Sequence, residues 1–357
     1  MPKPPDEIIR EDIGALKGYT VPDSTGMVKL DAMENPYRLP ETLRASIARL
    51  VEQAAINRYP DAAATELKVR LRDALGVPRN MELLLGNGSD ELIQTLMLAT
   101  ARPGAVALGV EPSFVMFQLI AAFAGMRYVG VELREDFQLD AERVLSAMVQ
   151  HEPALVFLAY PNNPSGNLFD EELVIRIVEA APGIVVLDEA YHAFAGKTFM
   201  HHLERHSNLL VMRTVSKLGL AGIRLGVLIG PGEWLKQLEK VRLPYNVNTL
   251  TQVVACEVLQ HGKVLTDQAA AIKLERGRLL RELGQVPGVT AYSSDANFVL
   301  FRINHAERVF DGLKKRGVLI RSLHGSHRLL ENCLRVTVGT PDENTAFLAA
   351  LAHAVAA

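Results

Sequence analysis

Seven short apolar runs, spaced along residues 82–229 and mostly continuous rather than alternating, constrain the fold most. They are Glu82–Leu85, Ala105–Gly109, Arg127–Val131, Leu155–Ala159, Ile184–Leu187, Leu209–Met212 and Gly226–Ile229. A continuous apolar run implies burial on both faces, hence a largely parallel sheet covered by helices. Helical spacing separates the runs: Leu92, Leu96 and Ala99 follow Asp90, and Val174, Ile177, Val178 and Ala181 follow Asp170. This alternation predicts a doubly wound α/β unit with a seven-stranded, mostly parallel sheet. The length of 357 residues leaves room for a second unit. Phe298–Phe301, Val318–Ile320 and Leu334–Val338 read as strands of a smaller α+β unit. Between the two, Trp234–Leu283 is helical in pattern, with a break at Pro244. Residues 1–40 carry few periodic signals and read as an extended arm against the smaller unit. The expected division is an arm 1–40, a large domain 41–265 and a small domain 266–357.

Composition excludes several classes of function. Apolar residues make up 48% and charged residues 22%, the balance of a globular protein with a sizeable core. The formal net charge of −3 comes without runs of like charge, so neither a nucleic acid nor an anionic membrane is an expected partner. No uncharged apolar run approaches the roughly 18 residues of a membrane span. The start, MPKPPDEIIR, has no apolar signal core, and a cytoplasmic location is expected. Cys256 and Cys333 offer neither a disulfide framework nor metal spacing. The ten histidines show no metal spacing either, and His201-His202 reads as a surface pair, so no metal is expected.

Ligands of open α/β sheets sit beyond the carboxyl ends of the strands. After Leu85 comes Gly86-Asn87-Gly88-Ser89-Asp90-Glu91 and then a helix. Glycines and a helix start can hold an anion, although Asp90 and Glu91 equally suit a helix cap. After Ala159 comes Tyr160-Pro161-Asn162-Asn163-Pro164-Ser165-Gly166, which also has the composition of an ordinary turn. After Leu187 comes Asp188-Glu189-Ala190-Tyr191; a carboxylate at a buried strand end needs a partner, either a salt bridge or a cationic heterocycle nitrogen. After Met212 comes Arg213-Thr214-Val215-Ser216-Lys217, with Arg224 seven residues on. A partly buried lysine becomes nucleophilic, and Thr214, Ser216 and Arg224 together suit a phosphate. Each motif is weak alone. Their shared position at strand ends offers a phosphate cradle, an acid for a ring nitrogen and a Schiff-base lysine, the contacts pyridoxal phosphate requires.

At these residues the chain resembles the fold-type I pyridoxal-phosphate aminotransferases, and among them the histidinol-phosphate aminotransferases. The resemblance runs from about Tyr19 to Thr340. It rests on Glu34-Asn35-Pro36-Tyr37, Asn57-Arg58-Tyr59-Pro60-Asp61, Tyr160-Pro161-Asn162-Asn163-Pro164, Asp188-Glu189-Ala190-Tyr191 and Leu334-Arg335-Val336-Thr337-Val338-Gly339-Thr340. It implies that Lys217 holds the cofactor as a Schiff base, that Asp188 pairs with the pyridinium nitrogen, and that Asn163 and Tyr191 bind the phenolic oxygen. It further implies that Phe114 stacks on the ring and that Ser89, Asp90 (through its amide), Thr214, Ser216 and Arg224 surround the phosphate. Tyr59 resembles a tyrosine reaching the phosphate from the other subunit, hence a homodimer. Arg335 resembles the arginine that takes the substrate's anionic end, and Tyr19, Asn35, Asn297 and Arg321 resemble further substrate-pocket positions. Two departures stand out: the Lys217–Arg224 loop is one residue shorter than in many relatives, and Phe114 replaces a frequent tyrosine.

The activity implied is transamination of L-histidinol phosphate with 2-oxoglutarate, giving imidazole-acetol phosphate and L-glutamate in histidine biosynthesis. An aromatic amino-acid aminotransferase or a threonine-phosphate decarboxylase would share most of these residues. A cofactor-sensing regulator on the same fold would need a nucleic-acid-binding domain or a basic patch, and neither is present in the sequence.

Overall fold

A computed structural model describes residues 2–16, 18 and 20–356. The arm contributes β1 (Val28–Lys29). The seven apolar runs become β2 (Met81–Asn87), β3 (Val106–Glu111), β4 (Arg127–Glu132), β5 (Leu155–Ala159), β6 (Ile184–Asp188), β7 (Leu209–Thr214) and β8 (Leu225–Pro231). They form one sheet in the order β2-β8-β7-β6-β5-β3-β4. Strand β8 runs antiparallel to both neighbours, β2 and β7; every other pairing is parallel. The two faces carry separate cores. Val156, Leu158, Val185, Leu187 and Val211 enter one, and Phe157, Ala159, Val186, Leu210 and Met212 enter the other. Two-sided burial is what unbroken apolar runs require.

The smaller unit is a four-stranded antiparallel sheet, ordered β12-β13-β10-β9, built from β9 (Val289–Ala291), β10 (Phe298–Ile303), β12 (Arg321–Ser322) and β13 (Cys333–Thr337). The single strand expected over Val318–Ile320 divides. Residues Val318–Leu319 form β11 and pair with β1 of the arm, whereas β12 pairs with β13. Ile320, buried between them, is where the chain changes partner. The helical stretch divides into Gly232–Leu238, Thr249–Gln260 and Lys263–Leu283, with Pro244 in the intervening loop. The 21-residue helix Lys263–Leu283 enters the large unit's core through Leu265 and the small unit's core through Ala269, Ile272, Leu279 and Leu283. One rigid rod therefore fixes the two units together.

The arm contacts both units. Beyond the β1–β11 pairing, the Leu30 carbonyl accepts the Thr337 amide at 2.8 Å. Nearer its start, the Arg10 guanidinium donates to the Ala122 and Phe123 carbonyls at 2.5 and 3.0 Å. It thereby caps the helix Met116–Phe123 on the large unit, a contact the sequence reading did not anticipate.

Candidate active site

The carboxyl ends of β2, β3, β5, β6 and β7, with the start of antiparallel β8, open onto one cleft. Its walls include Ser89, Asp90, Phe114, Asn163, Asp188, Tyr191, Thr214, Ser216, Lys217 and Arg224, around about 550 Å³ of free space counted to its mouth. Ten residues singled out from separate stretches of sequence thus meet at one place. Met33, Ala159 and Ala190 complete the lining. Met33 had no signal in the sequence. It sits in the left-handed backbone region, where the Thr337 hydroxyl accepts its amide at 2.9 Å.

Lys217 follows β7 in a tight turn, Ser216–Leu220, in which Gly219 takes a φ of 120°. Its Nζ donates to the Ala32 carbonyl at 3.3 Å and lies 6.0 Å from the centre of the Tyr191 ring. Burial, helped by the Arg335 guanidinium, brings the ammonium down to about 8. A lysine so placed is neutral in roughly a tenth of molecules at pH 7, far more often than a surface lysine, and the neutral amine is the nucleophile.

Asp188 ends β6. Burial pushes its carboxyl up to about 7, although Oδ1 accepts the Ala190 amide at 3.0 Å. Among the described residues no basic side chain lies within ion-pair distance of it. A buried carboxylate lacking a cation is costly, and a protonated ring nitrogen supplies that cation. The adjacent Glu189 is different. It is fully buried, its Oε2 takes the Arg213 guanidinium at 2.8 and 3.0 Å, and its Oε1 takes the Phe199 amide at 2.6 Å. That buried pair, absent from the sequence reading, anchors the strand end carrying Asp188.

Tyr191 and Asn163 stand together, the Asn163 amide donating to the Tyr191 hydroxyl at 3.3 Å. Burial raises the Tyr191 phenol, which keeps it a donor. Arg335 on β13 forms the next wall. It donates to Asn163 Oδ1 at 2.6 Å and to the Asp31 carbonyl at 3.2 Å, and its guanidinium lies 5.2 Å from the centre of the Phe298 ring. Arg321 on β12 pairs in register with Arg335. Directly opposed residues of antiparallel strands share a face, so the two guanidinium groups belong to the same side of the small sheet.

The opposite end of the cleft is an anion cradle. The helix Ser89–Thr100 begins after Gly88 with no side-chain cap, leaving its first amides available. Thr214 and Ser216 hydroxyls lie 2.9 Å apart beside it. Gly88 has a φ of 87°, and a Cβ there would come within 2.6 Å of the Arg224 guanidinium. A Cβ on Gly226 would come within 2.6 Å of the Gly88–Ser89 backbone. Both glycines are needed for the close approach. Despite the short Lys217–Arg224 loop, Arg224 reaches the cradle by adopting a φ of 52°, and its guanidinium stands 3.4 Å from the Asp90 carboxylate. Amides, hydroxyls and one guanidinium make this end fit a phosphate, as Asp188 and Lys217 make the middle fit a pyridinium aldehyde.

The remaining residues lie elsewhere. Asn297 is fully buried and donates to the Met33 carbonyl at 2.9 Å, supporting the lining from behind. Asn35 spends its amide on the Leu218 carbonyl and Gln268, and its oxygen on the Tyr37 amide. It clamps the arm to the lysine loop instead of facing the cleft. Tyr59 is 80% exposed and stacks on Tyr245, away from its own chain's cleft. Tyr19 lies outside the described residues.

Residues 25–351 match the family described as aminotransferase class I and II. The chain is 55% identical to histidinol-phosphate aminotransferase 2 of Nitrosococcus oceani and 53% identical to that of Cupriavidus pinatubonensis, over 96–97% of this chain and 96% of each relative. The histidinol-phosphate aminotransferase of Sinorhizobium meliloti, solved in complex with pyridoxal-5'-phosphate, superposes with a TM-score of 0.88 at 24% identity, over 98% of this chain and 97% of that one. The architecture is that of the fold-type I enzymes, and the chain belongs to the class I and II aminotransferase family.

Proposed function

We propose that the protein transaminates L-histidinol phosphate with 2-oxoglutarate, giving imidazole-acetol phosphate and L-glutamate in histidine biosynthesis. The observation carrying this reading is the convergence of Lys217, Asp188 and a phosphate-suited cradle in one cleft, with Arg335 at its wall. Identity above 50% to enzymes named for this substrate supports it. When bound, pyridoxal phosphate supplies an electron sink for the carbon that bears the substrate's amino group. Asp188 holds a proton on the ring nitrogen. Lys217 Nζ is the base that takes the proton from the substrate carbon, and the acid that gives it back in the reverse half-reaction. Tyr191 and Asn163 orient the ring by donating to its phenolic oxygen. Phe114 packs on the ring face.

Arg335 serves both substrates, because its planar fork bonds a phosphate in one half-reaction and a carboxylate in the other. Arg335→Lys keeps the charge and loses the fork. It is expected to lower kcat/KM for both histidinol phosphate and 2-oxoglutarate by about 10- to 100-fold, from the 1.5–3 kcal/mol typical of charge-assisted hydrogen bonds. Steady-state kinetics with each substrate varied in turn provide the check.

The substrate is tested by a panel on the purified holoenzyme: histidinol phosphate, phenylalanine and threonine phosphate, each with 2-oxoglutarate. Histidinol phosphate is expected to dominate. A dominant rate on phenylalanine, or carbon dioxide released from threonine phosphate, would replace it. The enzyme is read as a cytoplasmic homodimer, with Tyr59 completing the partner's cradle. Its exposure and its absence from the lining of its own chain's cleft support that role. Sedimentation is expected to give one species of twice the 39.2 kDa chain mass.

A further inference from the structure

Outside the cleft, three side chains converge on one point. The Nε2 atoms of His201 and His202 lie 3.4 and 2.9 Å from the same oxygen, Oε1 of Glu171. One donor atom from each residue falls within 4.8 Å of the other two. We propose that Glu171, His201 and His202 form a binding site for one divalent ion of the zinc type. A tetrahedral ion with bonds of about 2.0–2.1 Å holds its donors roughly 3.3 Å apart. The two observed N···O spacings bracket that edge, so small side-chain rotations admit the ion.

The supports are already in place. His202 is 13% exposed, and its ring lies 5.4 Å from that of Phe199, which packs edge-on against Tyr160. The turn Met200–His202 is held by the bond from the His202 amide to the Phe199 carbonyl. Glu171 opens the helix Glu171–Ala180, and its Oε1 faces both imidazoles. Among the described residues no lysine or arginine competes for it. His201 is 60% exposed, which leaves an approach and a fourth position for water. Two imidazoles and a carboxylate favour zinc, nickel or copper over the oxygen-loving calcium and magnesium. The sequence hid the site because adjacent histidines have no ligand spacing of their own. Glu171 joins them only through the fold.

A bound ion would tie the helix at Glu171 to the turn at His202. Through the Phe199 amide, that turn also meets Glu189, next to Asp188. The test is calorimetric titration of tag-free holoenzyme with zinc chloride alone. One ion per chain is expected, unaffected by excess calcium. His201→Ala and Glu171→Gln should each raise Kd by at least about tenfold, the lower bound set by losses of even indirect supports. Glu171→Gln conserves volume and hydrogen bonding, and unchanged turnover without added metal verifies that both variants fold. No saturable binding by the parent protein, or a Kd in both variants equal to the parent's, would overturn the proposal and leave a hydrogen-bonded surface cluster.

Discussion

Replacing Lys217 by Ala is expected to take turnover below detection, a loss of at least about 10⁴-fold. Two functions depend on one atom. Nζ is the amine that attaches the cofactor, and it is the group that carries the proton at the substrate carbon. Among the described residues no second amine lines the cleft to replace it. Its environment is tuned for this work, since burial and the Arg335 guanidinium bring it to about 8, whereas a surface lysine stays near 10.5. The cradle and Asp188 are untouched by the change, so the variant should still bind pyridoxal phosphate while losing the absorbance band of lysine-bound cofactor. Small primary amines added to the buffer should restore part of the rate by standing in for the missing base. Rescue of that kind separates a chemical role from a structural one. A variant that kept even a hundredth of the parent's turnover would remove Lys217 from the reaction.

The sheet was legible because its central strands β5, β6 and β7 are buried on both sides, and burial writes itself as an uninterrupted apolar run, whereas the edge strand β4 fully buries only Val131. The ends were blurred by a residue or two, since strand termini such as Asp188 and Thr214 are polar where they enter the cleft. The same polarity made the site legible: a charged or hydroxyl residue closing an apolar run is out of place unless something binds there. What the sequence could not reveal depends on distant partners. β1 is only two residues long and exists because Val318–Leu319 lie beside it. Met33 faces the cleft because Thr337, from the far end of the chain, fixes its amide. Asn35 has the composition of a ligand residue, yet the lysine loop and the helix carrying Gln268 consume its amide. Glu189 and Arg213 each interrupt a buried segment, a signal that could have been paired, but only parallel pairing of β6 with β7 brings them together.

Asp188→Asn is expected to have opposite effects on activity and on apoprotein stability, and both follow from one buried carboxylate. In the holoenzyme the carboxylate is offset by the protonated ring nitrogen it maintains. Asn cannot hold that proton, so kcat should fall by about 10²–10³-fold, the usual loss when one preorganised electrostatic contact is removed. In the apoprotein the carboxylate has no such partner, and burial raises it from 3.8 to about 7. Between those two pH values the folded chain keeps a proton that the unfolded chain has released. Stability therefore falls as pH rises through the window, by roughly 4 kcal/mol in all, and the full penalty stands above pH 7. Asn carries no charge to desolvate. At pH 8 the variant apoprotein should unfold at a higher temperature and urea concentration than the parent apoprotein. The advantage should shrink toward pH 4, and loading with pyridoxal phosphate should reverse the ranking, because only the parent gains a cation for its carboxylate. An apoprotein variant no more stable than its parent at pH 8 would mean that Asp188 already has a compensating partner within the chain, and the assignment of its free oxygen to the ring nitrogen would fail.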